Sequence, residues 1–495
     1  MVAAFALTIA AAQAQDTLNV AWSAGIDRLH PLISSNGPDM MVMANIYDTL
    51  LRLNPDSGEL MPHVAVAWEA EDDLTWRFEL RDGVTFTNGE PLDAAAVEYS
   101  IEAMLALGSQ SGNAPRIANI SDVEVVDDLT VRIHTKAPFP ELPYRMQPVG
   151  GSGRVFLVPP QYFSENTPEY VQENPIGSGP YRLTELRRGQ YVKLDVNPDY
   201  WGDAPEFETV FIHFIPEAST RIAALLSGEM DLVQRLPFDD EARIAAAPGV
   251  HVIEDPSGLV LSIVVDPKHE PFDDIRVREA AALALDLELV VEELLGGRGR
   301  VVPALVPPNA FGFNSDLEPY GYDPERAREL LAEAGYPNGF TLDTNISDGR
   351  YVADRATYDV LNAQLAEVGI VANPQVVEWG RLLAMMAEGA AGPFYIIGWD
   401  FGEGVGSKMD SLFVTGTRQS RWSDPDYDEL SRLGNAEMDA EKRAEYWRQA
   451  QQLVHERHMF LATWQTSVLY GASDRINWVS KYGDNIQLID VTLAQ

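Results

Sequence analysis

Alternation of apolar and polar side chains marks several short strands along the chain. Thr75–Leu80 (TWRFEL), 130–134 (TVRIH), Tyr191–Val196 and Thr209–Phe214 all repeat with period two, the signature of a strand with one buried face. A second texture follows the helical period. Ala94–Leu107, 220–226, 276–295, 358–368 and 440–457 carry apolar stripes at helix spacing. The best-punctuated helix lies within 322–339: Asp323 is its N-cap and Pro324 its first helical residue. Leu330, Leu331 and Ala334 form its stripe, and Gly335 with Pro337 beyond it ends it. Strands and helices interleave, which predicts an α/β or α+β protein. No internal repeat or low-complexity tract interrupts the pattern.

Composition narrows the function classes. The 495 residues hold 36 Lys and Arg against 75 Asp and Glu, a formal charge of −39, and a chain of this length makes roughly two to four domains. So negative a surface repels nucleic acid and anionic lipid headgroups. The apolar content of 46% suits a buried core, but past the first residues no apolar run approaches the ~18 residues of a spanning helix. Cysteine is absent, which excludes disulfides, thiolate nucleophiles, iron–sulfur clusters and Cys-bound zinc. At the N-terminus, the apolar run from Val2 to Ala12 and the small-x-small triplet Ala12-Gln13-Ala14 predict a signal peptide over 1–14, cleaved near Ala14. The mature chain is then exported and, having no Cys, carries no lipid-modified cysteine.

No catalytic constellation stands out. Asp400-Phe401-Gly402 matches a kinase metal-binding triplet, but the HRD-type loop and strand Lys that a kinase needs are missing. His455-Glu456-Arg457-His458 places two histidines at i, i+3 instead of the i, i+4 of a zinc-protease helix. The serine elbow G-x-S-x-G is absent, since Arg154 follows Gly153. Glycine clusters such as Gly150-Gly151-Ser152-Gly153 and Gly296-Gly297-Arg298-Gly299 lack the Lys of a phosphate loop and read as turns. Neither a cofactor nor a metal is expected.

Four blocks do carry a family pattern. Leu80-Arg81-Asp82-Gly83-Val84 with Asn88-Gly89-Glu90-Pro91-Leu92 is the first, and Gly177-Ser178-Gly179-Pro180-Tyr181 with Tyr200-Trp201-Gly202 is the second. Ala224-Leu225-Leu226-Ser227-Gly228-Glu229-Met230-Asp231 and Ile275-Arg276-Val277-Arg278-Glu279-Ala280 follow. Spread in order over about 17–470, they resemble the extracytoplasmic solute-binding proteins of family 5, the peptide/nickel/opine class of receptors that feed ABC importers. Ser178 stands where the family usually has Thr. These blocks read as turns, loop stiffeners and an aromatic plug that build the fold, with Gly83 supplying a turn that needs positive φ.

The resemblance implies a two-lobed periplasmic-binding-protein fold (class II type) with an extra domain inserted in lobe one. Lobe one would be 15–45, 181–266 and 472–495, the inserted domain 46–180, and lobe two 267–471, with crossings at Asp266-Pro267 and near Gly471. A solute held between the lobes would close them by hinge motion, with no chemistry performed. In peptide receptors of the family a "GW-x-x-D" segment supplies the Asp that pairs with the peptide ammonium. Here Gly398-Trp399 is followed at the third position by Gly402, which passes the anchoring role to Glu403, with Asp400 beside it. Trp399 and Phe401 are candidate stacking walls, Arg421 a candidate partner for a solute carboxylate, and Trp22 a candidate cleft residue of lobe one. The expected protein is a monomeric periplasmic receptor that hands small peptides to the permease subunits of an ABC importer. An opine, an oligosaccharide or a nickel chelate is the alternative cargo, and a carboxylate-based hydrolase the alternative of another class.

Overall fold

The structure is a computed structural model that describes residues 17–54, 59–148, 154–256, 259–308, 310–348, 350–351, 353–417, 419–480 and 486–494 apart from 401–404 and 418. The predicted signal peptide lies outside the described residues. Within them no helix is long and apolar enough to cross a membrane. The chain forms two compact units, the first made of residues up to Asp255 and from Val468 onward, the second of Pro256 to Ser467.

A mixed seven-stranded sheet organises the first unit. Its order is Val250–Asp255, Val468–Ser473, Leu232–Val233, Thr17–Trp22, Thr209–Phe214, Tyr191–Val196 and Tyr181–Arg187. Thr17–Trp22 runs parallel to both of its neighbours. Its alternation separates two cores, as a side-chain period of two requires. Leu18, Val20 and Trp22 join the main core, whereas Ala21 packs with Ile222 and Leu225 of the helix Ala218–Leu226 on the opposite face.

The same unit holds a four-stranded antiparallel sheet in the order Ala65–Asp72, Thr75–Leu80, Thr130–Thr135, Ile120–Asp127. It lies in the segment that the resemblance assigns to an inserted domain. Phe78, Val131 and Ile133 bury its inner face together with Val97 and Ile101 of the helix Ala94–Leu107. The Gly-Ser-Gly-Pro-Tyr block is structural, as expected. Gly177 passes so close to the chain that a Cβ there would lie 2.0 Å from the Ile46 carbonyl oxygen.

In the second unit an antiparallel sheet runs Gly299–Val301, Phe460–Thr466, Leu259–Val265, Phe394–Asp400. A parallel pair, Phe340–Ile346 with Ile370–Val376, accompanies it. Both crossings fall earlier than the sequence suggested. Leu259–Val265 is hydrogen-bonded on each side by strands of the second unit, so the chain has changed units before Asp266-Pro267. Val468–Ser473 already pairs in the first unit's sheet, so the return precedes Gly471.

Most predicted elements keep their bounds. Asp323 caps Pro324–Glu333 by accepting from the Arg326 N–H. The helix expected over 276–295 is broken: Ile275–Leu283 ends, and Asp286 caps a new short helix by accepting from Leu289 N–H at 3.0 Å. An Asp side chain competes with the helical backbone for hydrogen bonds, which makes it a better cap than an interior residue.

Candidate functional site

The segment that carries the anchoring motif closes a strand at the edge of the second unit's sheet. In Phe394–Asp400, Gly398 lies opposite Leu261, Trp399 opposite Val260 and Asp400 opposite Leu259. Among the described residues no strand pairs on the free side of Phe394–Asp400, and the Gly398 N–H donates to the Tyr351 hydroxyl at 2.8 Å. Only glycine permits that approach. A Cβ at Gly398 would lie 2.7 Å from Tyr351 Cε1 and 3.0 Å from Leu261 Cδ2.

Tyr351 is itself held from two directions. The Asp354 carboxylate, at the start of Asp354–Glu367, accepts from the backbone N–H groups of Arg350 (2.9 Å) and Tyr351 (3.1 Å). Trp379 meets the phenol ring edge-on at 5.8 Å; it opens the helix Trp379–Glu388, whose N-cap Glu378 accepts from Arg381 N–H. The exposed Arg350 guanidinium covers both rings, 5.3 Å from Tyr351 and 5.2 Å from Trp379, a cation–π arrangement that orders a long side chain without neutralising it. Burial pushes the Tyr351 phenol above its ordinary pKa, so at neutral pH it stays a neutral hydroxyl that accepts from Gly398.

The sequence-based candidates fare differently. Trp399 and Asp400 occupy the last two positions of the strand, with only their backbone described, and Phe401 and Glu403 lie outside the described residues. The chain on either side of that stretch is fixed by regular structure: the strand ends at Asp400 and the helix Val405–Phe413 follows. Arg421 donates Nη2 to the Ala387 carbonyl at 2.9 Å, in the last turn of Trp379–Glu388, where a cation complements the helix dipole. Trp22 is 4% exposed and belongs to the first unit's core, so its ring is packed inside, a correction to its expected role as a cleft residue of lobe one. The bulky indole completes the inward-facing row with Leu18 and Val20.

Asp410 is bound to its own neighbourhood. Asn435 Nδ2 donates to it at 2.6 Å and the Tyr427 hydroxyl at 3.3 Å, both from the helix Pro425–Ala436. Burial raises its pKa. The i, i+3 histidines also have a structural role. Tyr320 packs against His455 at 4.2 Å and His458 at 4.7 Å between ring centroids, and its hydroxyl donates to the His455 carbonyl. Burial, with His455 and Arg278 close by, pulls His458 down to about 4. Among the described residues, no group of three or more His, Asp or Glu is placed to hold a metal.

Sequence reasoning missed Arg350, Tyr351 and Trp379. They come from a loop and a helix start well before Gly398, and no spacing rule links them to it.

The family model for bacterial extracellular solute-binding proteins, family 5, matches residues 59–420. The chain belongs to that family. It is 27% identical over 487 residues to the dipeptide-binding protein of Escherichia coli K12, covering 91% of this chain and 90% of that one. The heme-binding protein A of Haemophilus influenzae is also 27% identical, over 83% of this chain and 80% of its own. The solved structure of HbpA2 from Haemophilus parasuis superposes with a TM-score of 0.85 at 24% identity, covering 97% and 100% of the two chains. The fold class inferred from the four sequence blocks, a two-lobed α/β binding-protein fold, is therefore the fold of this chain. Members of family 5 are transport receptors, so the hydrolase alternative is set aside.

Proposed function

We propose that this protein captures small peptides or peptide-like solutes in the periplasm, as a monomer exported with cleavage near Ala14, and delivers them to the permease subunits of an ABC importer. Capture by hinge closure is part of the reading. The carrying observation is the end of Phe394–Asp400, where the Gly398 N–H is taken by Tyr351 and an exposed Arg350 is ordered over Tyr351 and Trp379. That arrangement sets a guanidinium and two aromatic rings beside the strand that leads, along the sequence, into Phe401 and Glu403. A zwitterionic solute needs both signs of charge. Glu403 accepts from the ammonium with Asp400 beside it, Arg350 donates to the carboxylate, and Trp399 and Phe401 form apolar walls. Arg421, committed to the Ala387 carbonyl, supports the helix that carries Trp379. A charge pair desolvated by a bound solute is far stronger than one left in water.

The relatives named for dipeptide and for heme show how widely cargo varies among similar chains. Mass spectrometry of solute released from gently purified, then denatured, protein identifies the cargo directly. A peptide or an amine-bearing peptide analogue is the expected result; an opine, an oligosaccharide, heme or a nickel chelate in its place overturns the peptide assignment. A peptide supplied at 100 times its dissociation constant should add about 2.7 kcal/mol to stability. With that peptide, Glu403→Gln is expected to weaken binding about tenfold or more, the scale of a lost charge-assisted hydrogen bond. Asp410→Asn should leave binding within about twofold, because its carboxylate already serves Asn435 and Tyr427. Equal losses from the two variants remove Glu403 as the anchor.

A further inference from the structure

Three helices begin with the same local device. Arg221, Arg278 and Arg443 are each the fourth residue of their helices, Ala218–Leu226, Ile275–Leu283 and Ala440–Glu456. In each case the guanidinium folds back and donates to the two carbonyls five and six residues earlier. Arg221 takes Pro216 and Ile215 at 2.7 and 2.8 Å. Arg278 takes Asp273 and Phe272 at 3.1 and 2.8 Å, and Arg443 takes Met438 and Glu437 at 3.3 and 3.1 Å. All three arginines are buried, at 3%, 6% and 8% exposure. A buried guanidinium is tolerable only when its fork of donors is satisfied, and loop carbonyls just outside a helix satisfy it.

Arg221 differs from the other two in where the rest of the fork goes. Its Nε donates to the Gln234 carbonyl at 3.1 Å and its Nη2 to the Arg235 carbonyl at 2.9 Å. The four acceptors therefore lie on two loops, one leaving the strand Thr209–Phe214 and the other leaving Leu232–Val233. These strands flank Thr17–Trp22 in parallel on its two sides. The loop after Thr17–Trp22 is joined to them as well. Ile215 N–H donates to the Trp22 carbonyl at 2.8 Å, Gln234 N–H to the Ala21 carbonyl at 3.1 Å, and Ser23 Oγ to Gln234 Oε1 at 3.3 Å.

One guanidinium thus ties together the loops leaving two strands, and those loops in turn hold the carboxyl end of the parallel strand between them, the end of an α/β sheet at which solutes bind. Arg235 is left-handed there, at φ 53°, a conformation that a non-glycine residue keeps when its surroundings over-determine it. Arg221 supplies one of those constraints through the Arg235 carbonyl.

Resting on the receptor reading above, we propose that Arg221 is a positioning residue for solute recognition. It holds the loops after Trp22, Phe214 and Val233 in their solute-receiving conformation before the solute arrives. A preformed loop has less ordering entropy to lose on binding, so the effect appears as affinity.

Arg443 provides an internal control, since it shares the device, the burial and the helix position but belongs to the second unit and donates to the Glu437 and Met438 carbonyls. The experiment compares wild-type full chain with Arg221→Met, Arg221→Lys and Arg443→Met by calorimetric titration with Met-Leu, trialanine and glutathione, and by hydrogen exchange without solute. For whichever probe the wild type binds, Arg221→Met is expected to lose about tenfold or more in affinity, with Arg221→Lys between. Arg443→Met should stay within about twofold while losing similar melting temperature. In Arg221→Lys, amide exchange at Ile215, Glu217 and residues 234–236 should rise about tenfold before any solute is added; this variant and this readout carry the test where Arg221→Met does not fold. Unchanged affinity in both Arg221 variants, unchanged exchange, or an equal affinity loss in Arg443→Met overturns the proposal. Wild type that binds none of the three probes, while exchange in Arg221→Lys behaves as expected, counts against the peptide reading and leaves the positioning of the loops standing.

Discussion

At Gly398 the missing side chain is what lets a tyrosine hydroxyl, in place of a neighbouring strand, receive an edge N–H. A methyl group there would have to share space with Tyr351 Cε1 at 2.7 Å, so the phenol must swing away and leave the N–H without its acceptor. Gly398→Ala is expected to destabilise the protein by about 2 kcal/mol, from overpacking and a lost hydrogen bond together. Peptide affinity should fall with it, because Arg350 and Trp379 lose the ring against which they stack. Chemical denaturation and a binding titration check both, and an alanine variant with native stability and affinity contradicts the account. Residue-level reading of the sequence reached the Gly398-Trp399 pair, since two residues of a local motif sit side by side. It did not reach Tyr351, whose role depends on the approach of a loop to a strand edge.

Among the elements, the first unit depends on a buried polar junction between segments far apart in sequence. Asp48 accepts from His63 Nε2 at 2.7 Å and from Trp201 Nε1 at 2.9 Å, and the Arg81 guanidinium lies 4.7 Å over the Trp201 ring. Arg81 and Trp201 come from two of the four family blocks, so the aromatic plug read from the sequence has a definite partner. Burial works against the Asp48 carboxylate, but His63, Trp201 and Arg52 outweigh it and hold its pKa below the ordinary 3.8. A carboxyl group with a lowered folded-state pKa adds stability above its unfolded value, and that contribution disappears as pH falls through the folded value. Burial lowers the His63 pKa, so at pH 7 its neutral ring donates to the carboxylate, and Asp48→Asn is expected to cost about 2 kcal/mol there, the scale of a hydrogen bond to a buried charged group. The gap to wild type should narrow below about pH 4. Urea unfolding across that range tests it; a gap that widens on acidification contradicts the assignment. Strands and helices with clean periodicity, such as Tyr191–Val196 and Ala94–Leu107, were legible because burial of one face writes itself into the spacing. The break at Ala284 to Asp286 was not, because the apolar residues continue across it and only the capping hydrogen bond of Asp286 to Leu289 reveals the restart.

For the whole molecule, a charge of −39 spread over 495 residues is a standing self-repulsion that folding concentrates. Added salt shortens the screening length from about 30 Å at 0.01 M to about 3 Å at 1 M. The melting temperature is accordingly expected to rise by several degrees between those limits, with calorimetry in sodium chloride as the measurement; a flat or falling trend contradicts it. The sequence by itself determined the α/β class, the family, the absence of thiol chemistry and the Gly398-Trp399 motif, because composition, periodicity and contiguous motifs are properties of the chain before it folds. Only the tertiary structure decided where the chain changes units, that Trp22 is core and Arg421 a helix cap, and that Arg221 binds two loops. Those facts depend on which distant backbone groups meet, and a hydrogen bond between residues far apart along the chain leaves no periodic trace in it.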